Sequence, residues 1–314
     1  MSRVATTADE ILAFIPAEDA QLFGVLTKPT VEPNGLCVII LLGGIFNLSV
    51  NRNRLTVRIA RRLASQGYHV LRLDQHGVGE SSGTVTESRL DKPWVEDVTA
   101  AIRWLEARGL DRFVLLGQCF GARSLLAATP FIKNLHGMAM VSTPILDYNT
   151  HAELAVAHRA HLPTKKFLRK AFSASVLRKI FASRHRKRYA SMLKVKLRKS
   201  VGGARAAAEE RASPQYLEYI SKLIDRGVPT LLAFGTEELA GDFDRAKAGE
   251  LGKILARGRS VVQEHRFDHW AHGFPSLAVQ DETVALVEDW LARVVAPTAP
   301  SAVREPEPNT AGRS

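Results

Sequence analysis

The sequence predicts an α/β domain in which a mostly parallel sheet is covered by helices on both faces, with one helical insertion. Three observations lead there. Short runs of Val, Ile and Leu alternate with longer amphipathic stretches along most of the 314 residues, which is the pattern of a parallel sheet. Several runs are apolar throughout, as strands buried on both faces are. The alternation lapses between residues 147 and 227 and then resumes. Strand order does not follow from such a pattern.

Taken in order, residues 11–16 and 21–26 read as two short strands around an Ala-Glu-Asp-Ala turn. Residues 36–42 form a continuous apolar run ending in Gly43-Gly44, which reads as a buried strand. A basic amphipathic helix follows over 54–66, with Leu55, Ile59, Leu63 and Ala64 on one side and Gly67 to end it. Strands at 69–73, 113–116 and 137–141 alternate with helices at 91–108 and 119–128. After the insertion come a strand at 230–234, a helix at 245–256, a strand at 260–265 and a last helix at 281–294. The chain thus divides into a core in two parts, 1–146 and 228–295, and a helical cap at 147–227. The remaining tail, 296–314, is rich in Pro, Ala and Ser, a composition suited to disorder.

No stretch approaches the roughly 18 apolar residues that a membrane-spanning helix needs. The N-terminus lacks the basic start and apolar run of a secretory signal. The two cysteines, Cys37 and Cys119, cannot build a disulfide framework, so the expected compartment is the reducing cytoplasm. A net charge of +11 suggests nucleic acid until its distribution is considered. Residues 151–200 hold fifteen Lys or Arg and one acid, Glu153, or +14, which leaves about −3 for the rest. With the charge confined to one segment and no recognition motif beside it, nucleic-acid binding is not expected.

The segment that speaks to chemistry is Phe113-Val-Leu-Leu-Gly117-Gln118-Cys119-Phe120-Gly121-Ala122. It is a G-x-C-x-G run after an apolar strand and before a helix, the spacing of a nucleophile elbow. In such a turn the nucleophile takes strained backbone angles, and the residues two before and two after must be small. Gly117 and Gly121 meet that demand. The thiol would project at a helix N-terminus, where the dipole and free N–H groups favour a thiolate. The competing reading, a buried and inert thiol, suits free cysteines in general and is the one adopted for Cys37 inside its strand.

These residues resemble the α/β-hydrolase fold superfamily, in the minority whose elbow nucleophile is cysteine. Asp74-Gln-His-Gly77-Val-Gly79-Glu-Ser81 is similar to that family's D-x-x-G-x-G-x-S turn. The turn is structural in relatives, which keeps Asp74 out of a triad. Gly43-Gly44-Ile45-Phe46 falls where relatives carry His-Gly and then a residue giving one oxyanion N–H. The resemblance therefore assigns that donor to Ile45 and the other to Phe120, with Gly43 departing from the usual histidine.

The resemblance also orders the triad as nucleophile, acid, histidine along the chain. Leu231-Leu-Ala-Phe-Gly235-Thr-Glu237-Glu238 matches its strand-G-x-x-D pattern, with Glu238 in the acid's place and Glu237, Asp242 or Asp244 as alternatives. Phe267-Asp-His-Trp-Ala-His-Gly-Phe274 offers His269 and His272. His272 stands at the family's spacing, roughly eighteen residues before Trp290-Leu291, and is preferred. The resemblance implies no metal and no cofactor.

A closer likeness is to the α/β-hydrolases associated with exosortase systems. They have an elbow like Gly117-Gln-Cys-Phe-Gly-Ala122, a turn like Gly77-Val-Gly-Glu-Ser81-Ser-Gly83 and a similarly basic helical insertion. That likeness carries no settled substrate. The leading expectation is an ester or thioester hydrolase for a hydrophobic acyl group, using a Cys–His–Glu triad and a thioester intermediate. An acyltransferase passing the acyl group from Cys119 to an alcohol or amine is the alternative. A binding protein on an inactive hydrolase fold is the third. The basic cap is expected to be a solvated helical face or a receiver for an anionic partner: coenzyme A, an acyl carrier protein or a membrane surface.

Overall fold

In the computed structural model the described residues are 8–43, 48–85, 89–147, 212–236 and 238–294, with the backbone alone for Glu238 and Val294. Eight strands form one sheet: β1 (Glu10–Pro16), β2 (Gln21–Thr27), β3 (Cys37–Leu41), β4 (His69–Leu73), β5 (Phe113–Gln118), β6 (Leu135–Val141), β7 (Thr230–Phe234) and β8 (Val262–Arg266). Their spatial order is β1-β2-β4-β3-β5-β6-β7-β8. The β1–β2 and β2–β4 pairs are antiparallel and every other pair is parallel. The sheet is therefore mostly parallel, as the alternation predicts.

Among the described residues the helices are α1 (Leu55–Ala64), α2 (Val95–Glu106), α3 (Cys119–Ala128), α4 (Pro214–Asp225), α5 (Glu238–Lys247), α6 (Glu250–Arg257) and α7 (Leu277–Val294). The pleat sorts the inner strands between two helical layers. Ile39, Leu71, Leu115, Met138 and Leu232 pack with residues of α2 to α6. Val38, Val70, Val114, Ala139 and Leu231 pack with α1 and α7. Each large aliphatic side chain buried in this way contributes about 1.5–3 kcal/mol. Two such layers hold the C-terminal edge of the parallel strands as a fixed platform.

Several boundaries differ from the periodicity, each for a local reason. Helix α2 begins at Val95 and not at 91, because Pro93 disfavours helical backbone at Lys92. The single helix expected at 245–256 is two helices, α5 and α6, broken at Gly249 (φ −113°, ψ −135°). The first of them reaches back to Glu238 because Leu239, Phe243 and Ala246 bury one face at helical spacing. Helix α7 starts at Leu277, where Ser276 Oγ accepts the Val279 N–H at 3.4 Å.

The expected insertion lies between β6 and β7; residues 148–211, with the whole basic window, and the tail from 296 onward lie outside the described residues. The two described ends of that span converge. Ser213 N–H donates to the Ile145 carbonyl at 2.9 Å. Arg123 on α3, only 2% exposed, gathers both ends. Its Nη2 donates to Asp147 at 2.8 Å, to Ser213 Oγ at 3.2 Å and to the Leu90 carbonyl at 3.0 Å, and its Nη1 to the Pro144 carbonyl at 3.2 Å. A buried guanidinium needs this many acceptors to offset its lost hydration. No helix among the described residues is long and apolar enough to cross a membrane.

Candidate active site

Cys119 opens α3 directly after β5, with φ at 54°. A residue with a Cβ rarely adopts left-handed backbone, and such strain persists only where the surroundings over-determine it. Three glycines supply those surroundings. A Cβ on Gly117 would stand 2.5 Å from the Ala122 Cα, and one on Gly121 would stand 2.5 Å from the Leu42 carbonyl oxygen. One on Gly43 would stand 2.7 Å from both Cys119 Cβ and the Gln118 carbonyl oxygen, and closer still to Phe120 N. No side chain fits at any of the three. The histidine that relatives carry near Gly43 would run into the elbow here.

Strain gathers at this edge of the sheet. Among the described residues, those other than glycine with positive φ are Asn51, Asn53, Arg54, Cys119, Ser142 and Phe274. They follow β3, β5, β6 and β8, so all lie beyond the C-terminal ends of parallel strands. Open α/β sheets bind their ligands outside that edge.

Cys119 as a residue is 8% exposed. Burial pushes its thiol up to about 11, while the Phe120 N–H bonded to the sulphur pulls the other way. Burial wins, so the resting thiol is protonated at neutral pH. This corrects the thiolate that a helix N-terminus alone suggests. Cys37, fully buried in β3, is pushed up to about 12 by the same cause. The Phe120 N–H thus faces the Cys119 sulphur.

Behind Phe120 stands an aromatic stack with no signal in the linear sequence. The Trp94 ring meets the Phe120 ring edge-on at 4.8 Å, and His76 lies 4.6 Å from Trp94 on its other side. Asp97 accepts the His76 backbone N–H at 2.9 Å and lies 2.9 Å from His76 Nδ1. Its hydrogen bond pushes the imidazole up from the usual histidine range. Trp94 N–H donates to Ser124 Oγ on α3 at 3.1 Å. The turn at 74–82 is a scaffold: Ser81 Oγ donates to the Asp74 carbonyl at 2.9 Å and accepts the Phe23 N–H at 2.7 Å. Asp74 is buried, and burial pushes its carboxyl up despite a hydrogen bond from Ser49 N–H.

The remaining candidates divide. Ile45 and Glu237 lie outside the described residues, as does the side chain of Glu238, whose backbone begins α5 after β7. Asp242 is ion-paired with Arg245 and Asp244 with Arg266. His269 is half exposed, with Nε2 3.9 Å from Glu282 on α7. Its carbonyl accepts the Thr236 N–H at 2.9 Å, tying the loop after β8 to the loop after β7. His272 lies in that same loop, where Trp270 Nε1 donates to its carbonyl at 2.9 Å. Cys119, Glu238 and His272 thus follow β5, β7 and β8 on one edge. Among the described residues no group of three or more His, Cys, Asp or Glu is placed to hold a metal.

Residues 50–272 match the family described as serine aminopeptidase, S33. Solved structures are similar as well. An esterase from Pyrococcus furiosus superposes with a TM-score of 0.59 at 17% identity, over 92% of this chain and 93% of that one. The esterase domain of a Rhodothermus marinus protein gives 0.53 at 17% identity, over 92% and 100%. A proline iminopeptidase from Mycobacterium smegmatis gives 0.51 at 19% identity, over 91% and 98%. At such identities the likeness speaks for the fold. No curated protein matches the chain.

Proposed function

The chain belongs to the serine aminopeptidase S33 family of α/β-hydrolases, and from that premise we propose that it hydrolyses an ester or thioester of a hydrophobic acyl group, with Cys119 in the nucleophile's place. One observation carries this reading. Cys119 is held in left-handed backbone between three glycines that admit no side chain, with the Phe120 N–H on its sulphur. A merely structural cysteine has no need of that geometry. Esterases among the solved structures of like fold agree with an ester substrate.

In the proposed mechanism His272 takes the thiol proton as Sγ attacks the acyl carbonyl, so that no thiolate has to exist beforehand. The carbonyl electrons move to oxygen, which the N–H groups of Phe120 and Ile45 receive. One such donor is worth about 10²–10³ in rate. Collapse breaks the bond to the leaving group, which takes the proton from His272, and leaves a thioester on Cys119. Water, deprotonated by His272, then releases the acid and restores the thiol. Glu238 holds the imidazole's tautomer and stabilises its charged form. The likeness of the elbow to the exosortase-associated hydrolases is part of this proposal, as is a cytoplasmic site of action. So is a basic insertion that receives an anionic acyl donor such as coenzyme A or an acyl carrier protein.

The test is turnover of p-nitrophenyl esters and acyl thioesters of graded chain length. Cys119→Ala should abolish it, while Cys119→Ser keeps a fraction. Full turnover by Cys119→Ala would end the proposal. Product analysis with an added alcohol or amine separates hydrolysis from acyl transfer.

A further inference from the structure

The turn that carries His272 is an unusual piece of backbone. Gly273 and Phe274 both have positive φ, 75° and 50°. Glycine takes such angles freely, but a bulky aromatic residue does so only when held there. Phe274 is held at both ends: its N–H donates to the Ala271 carbonyl at 3.0 Å, and its own carbonyl accepts Gln280 Nε2 at 2.9 Å. Gln280 is fully buried on α7. Because the Phe274 carbonyl can only accept, the amide's NH₂ end must face it, which turns Oε1 the other way. There Oε1 meets Asn53 Nδ2 at 3.4 Å. Asn53 is itself left-handed (φ 54°), in the stretch Asn51–Arg54 that follows β3 and the 44–47 segment assigned to the second oxyanion donor.

We infer that Gln280 is a positioning residue, which fixes the turn of the proposed base and ties it to the loop after β3. The inference rests on the reading of His272 as base. One buried amide bridges two strained turns on opposite flanks of the elbow, one leading from the proposed oxyanion donor and the other carrying the base. An apolar side chain of equal length fills the same space yet leaves the Phe274 carbonyl without its donor. The turn then relaxes, and the imidazole moves off line.

The experiment measures kcat and KM for p-nitrophenyl butyrate across pH in the full chain, with thermal midpoints. Gln280→Met should lower kcat roughly tenfold, as small misplacements of catalytic groups do, with KM within about twofold. The acid limb of the pH profile should shift, which a purely structural lesion would not cause. Asn53→Gly is the second variant. Glycine suits its backbone, so the fold is kept while the amide bridge is lost. It should lower kcat about threefold at an unchanged thermal midpoint. Cys119→Ala and His272→Ala in the same assay separate the two ideas: turnover in either sinks the proposed site. If both are dead but folded Gln280→Met keeps kcat within twofold and its pH profile, Gln280 has no positioning role. Should Gln280→Met not fold, wild-type kcat in Asn53→Gly overturns the inference equally.

Discussion

Gly43→Ala is a one-methyl change that reaches the elbow of the proposed nucleophile without altering Cys119 itself. The added methyl would lie 2.7 Å from Cys119 Cβ and 2.7 Å from the Gln118 carbonyl oxygen, where contacts tighter than 3.4 Å are already rare. The obstructing atoms belong to backbone or to a Cβ, so no flexible side chain can swing aside. The Phe120 backbone N lies nearer still, so either the end of β3 or the elbow must move by about 1 Å to restore ordinary contact. Overpacking of this kind costs about 1–3 kcal/mol, and a displacement near 1 Å at a reacting centre costs about 100-fold in rate. The stability loss should lower the thermal midpoint by several degrees and leave the protein folded at 25 °C. The kcat/KM on a short acyl ester should fall about 100-fold. Wild-type kcat/KM in a folded Gly43→Ala protein would refute the close approach of β3 to the elbow.

Three further outcomes follow from the same geometry. His272→Ala should lower kcat by at least 1,000-fold, in the upper range for general-base loss, whereas His269→Ala, paired with Glu282 near the surface, should stay within about threefold; the reverse pattern would move the base to His269. Alkylation of Cys119 by iodoacetamide in the His272→Ala background should be slow at pH 7 and still rising above pH 9, because burial holds the thiol at about 11; a rate already level at pH 7 would contradict that. His69, buried in β4 with an unpartnered Nδ1, is pushed down from 6.5 to about 4 by burial and by Lys28. The unfolded chain therefore takes up a proton between pH 6.5 and about 4 that the folded chain refuses. Stability should fall with acid there by about 1.4 kcal/mol per pH unit, and urea titrations of His69→Leu should lose that slope.

The layout was legible wherever chemistry is local. Residues 36–42 and 113–116 declare buried strands because both faces are apolar, and the G-x-C-x-G run declares a bend because only glycine leaves room for one. The strand order was not legible, since β3 meets β5 and β4 only through crossovers whose handedness no periodicity records. Nor was the thiol's protonation: a helix N-terminus is visible in sequence, but the burial that outweighs it is a property of packing. The first seven residues of α5 were missed because Glu238 to Asp244 reads as an acidic loop until Leu239 and Phe243 are seen to share a buried face. Arg123, Trp94 and Gln280 gave no warning, for their partners lie 24 to 90, 26 and 227 positions away or are carbonyls that any residue owns.

Arg123 has a consequence for how such a protein can diversify. Asp147 and Ser213 are fastened to one guanidinium, so the span they bracket leaves and rejoins the core at a single point. A chain closed at a fixed point can double in length for about 0.6 kcal/mol of added closure entropy. Whatever is grafted there can be lengthened or exchanged while α3, and the residue at its head, keeps its register. The arginine works as a socket: it holds both ends of the span at α3, so a change of length between them leaves the helix where it is.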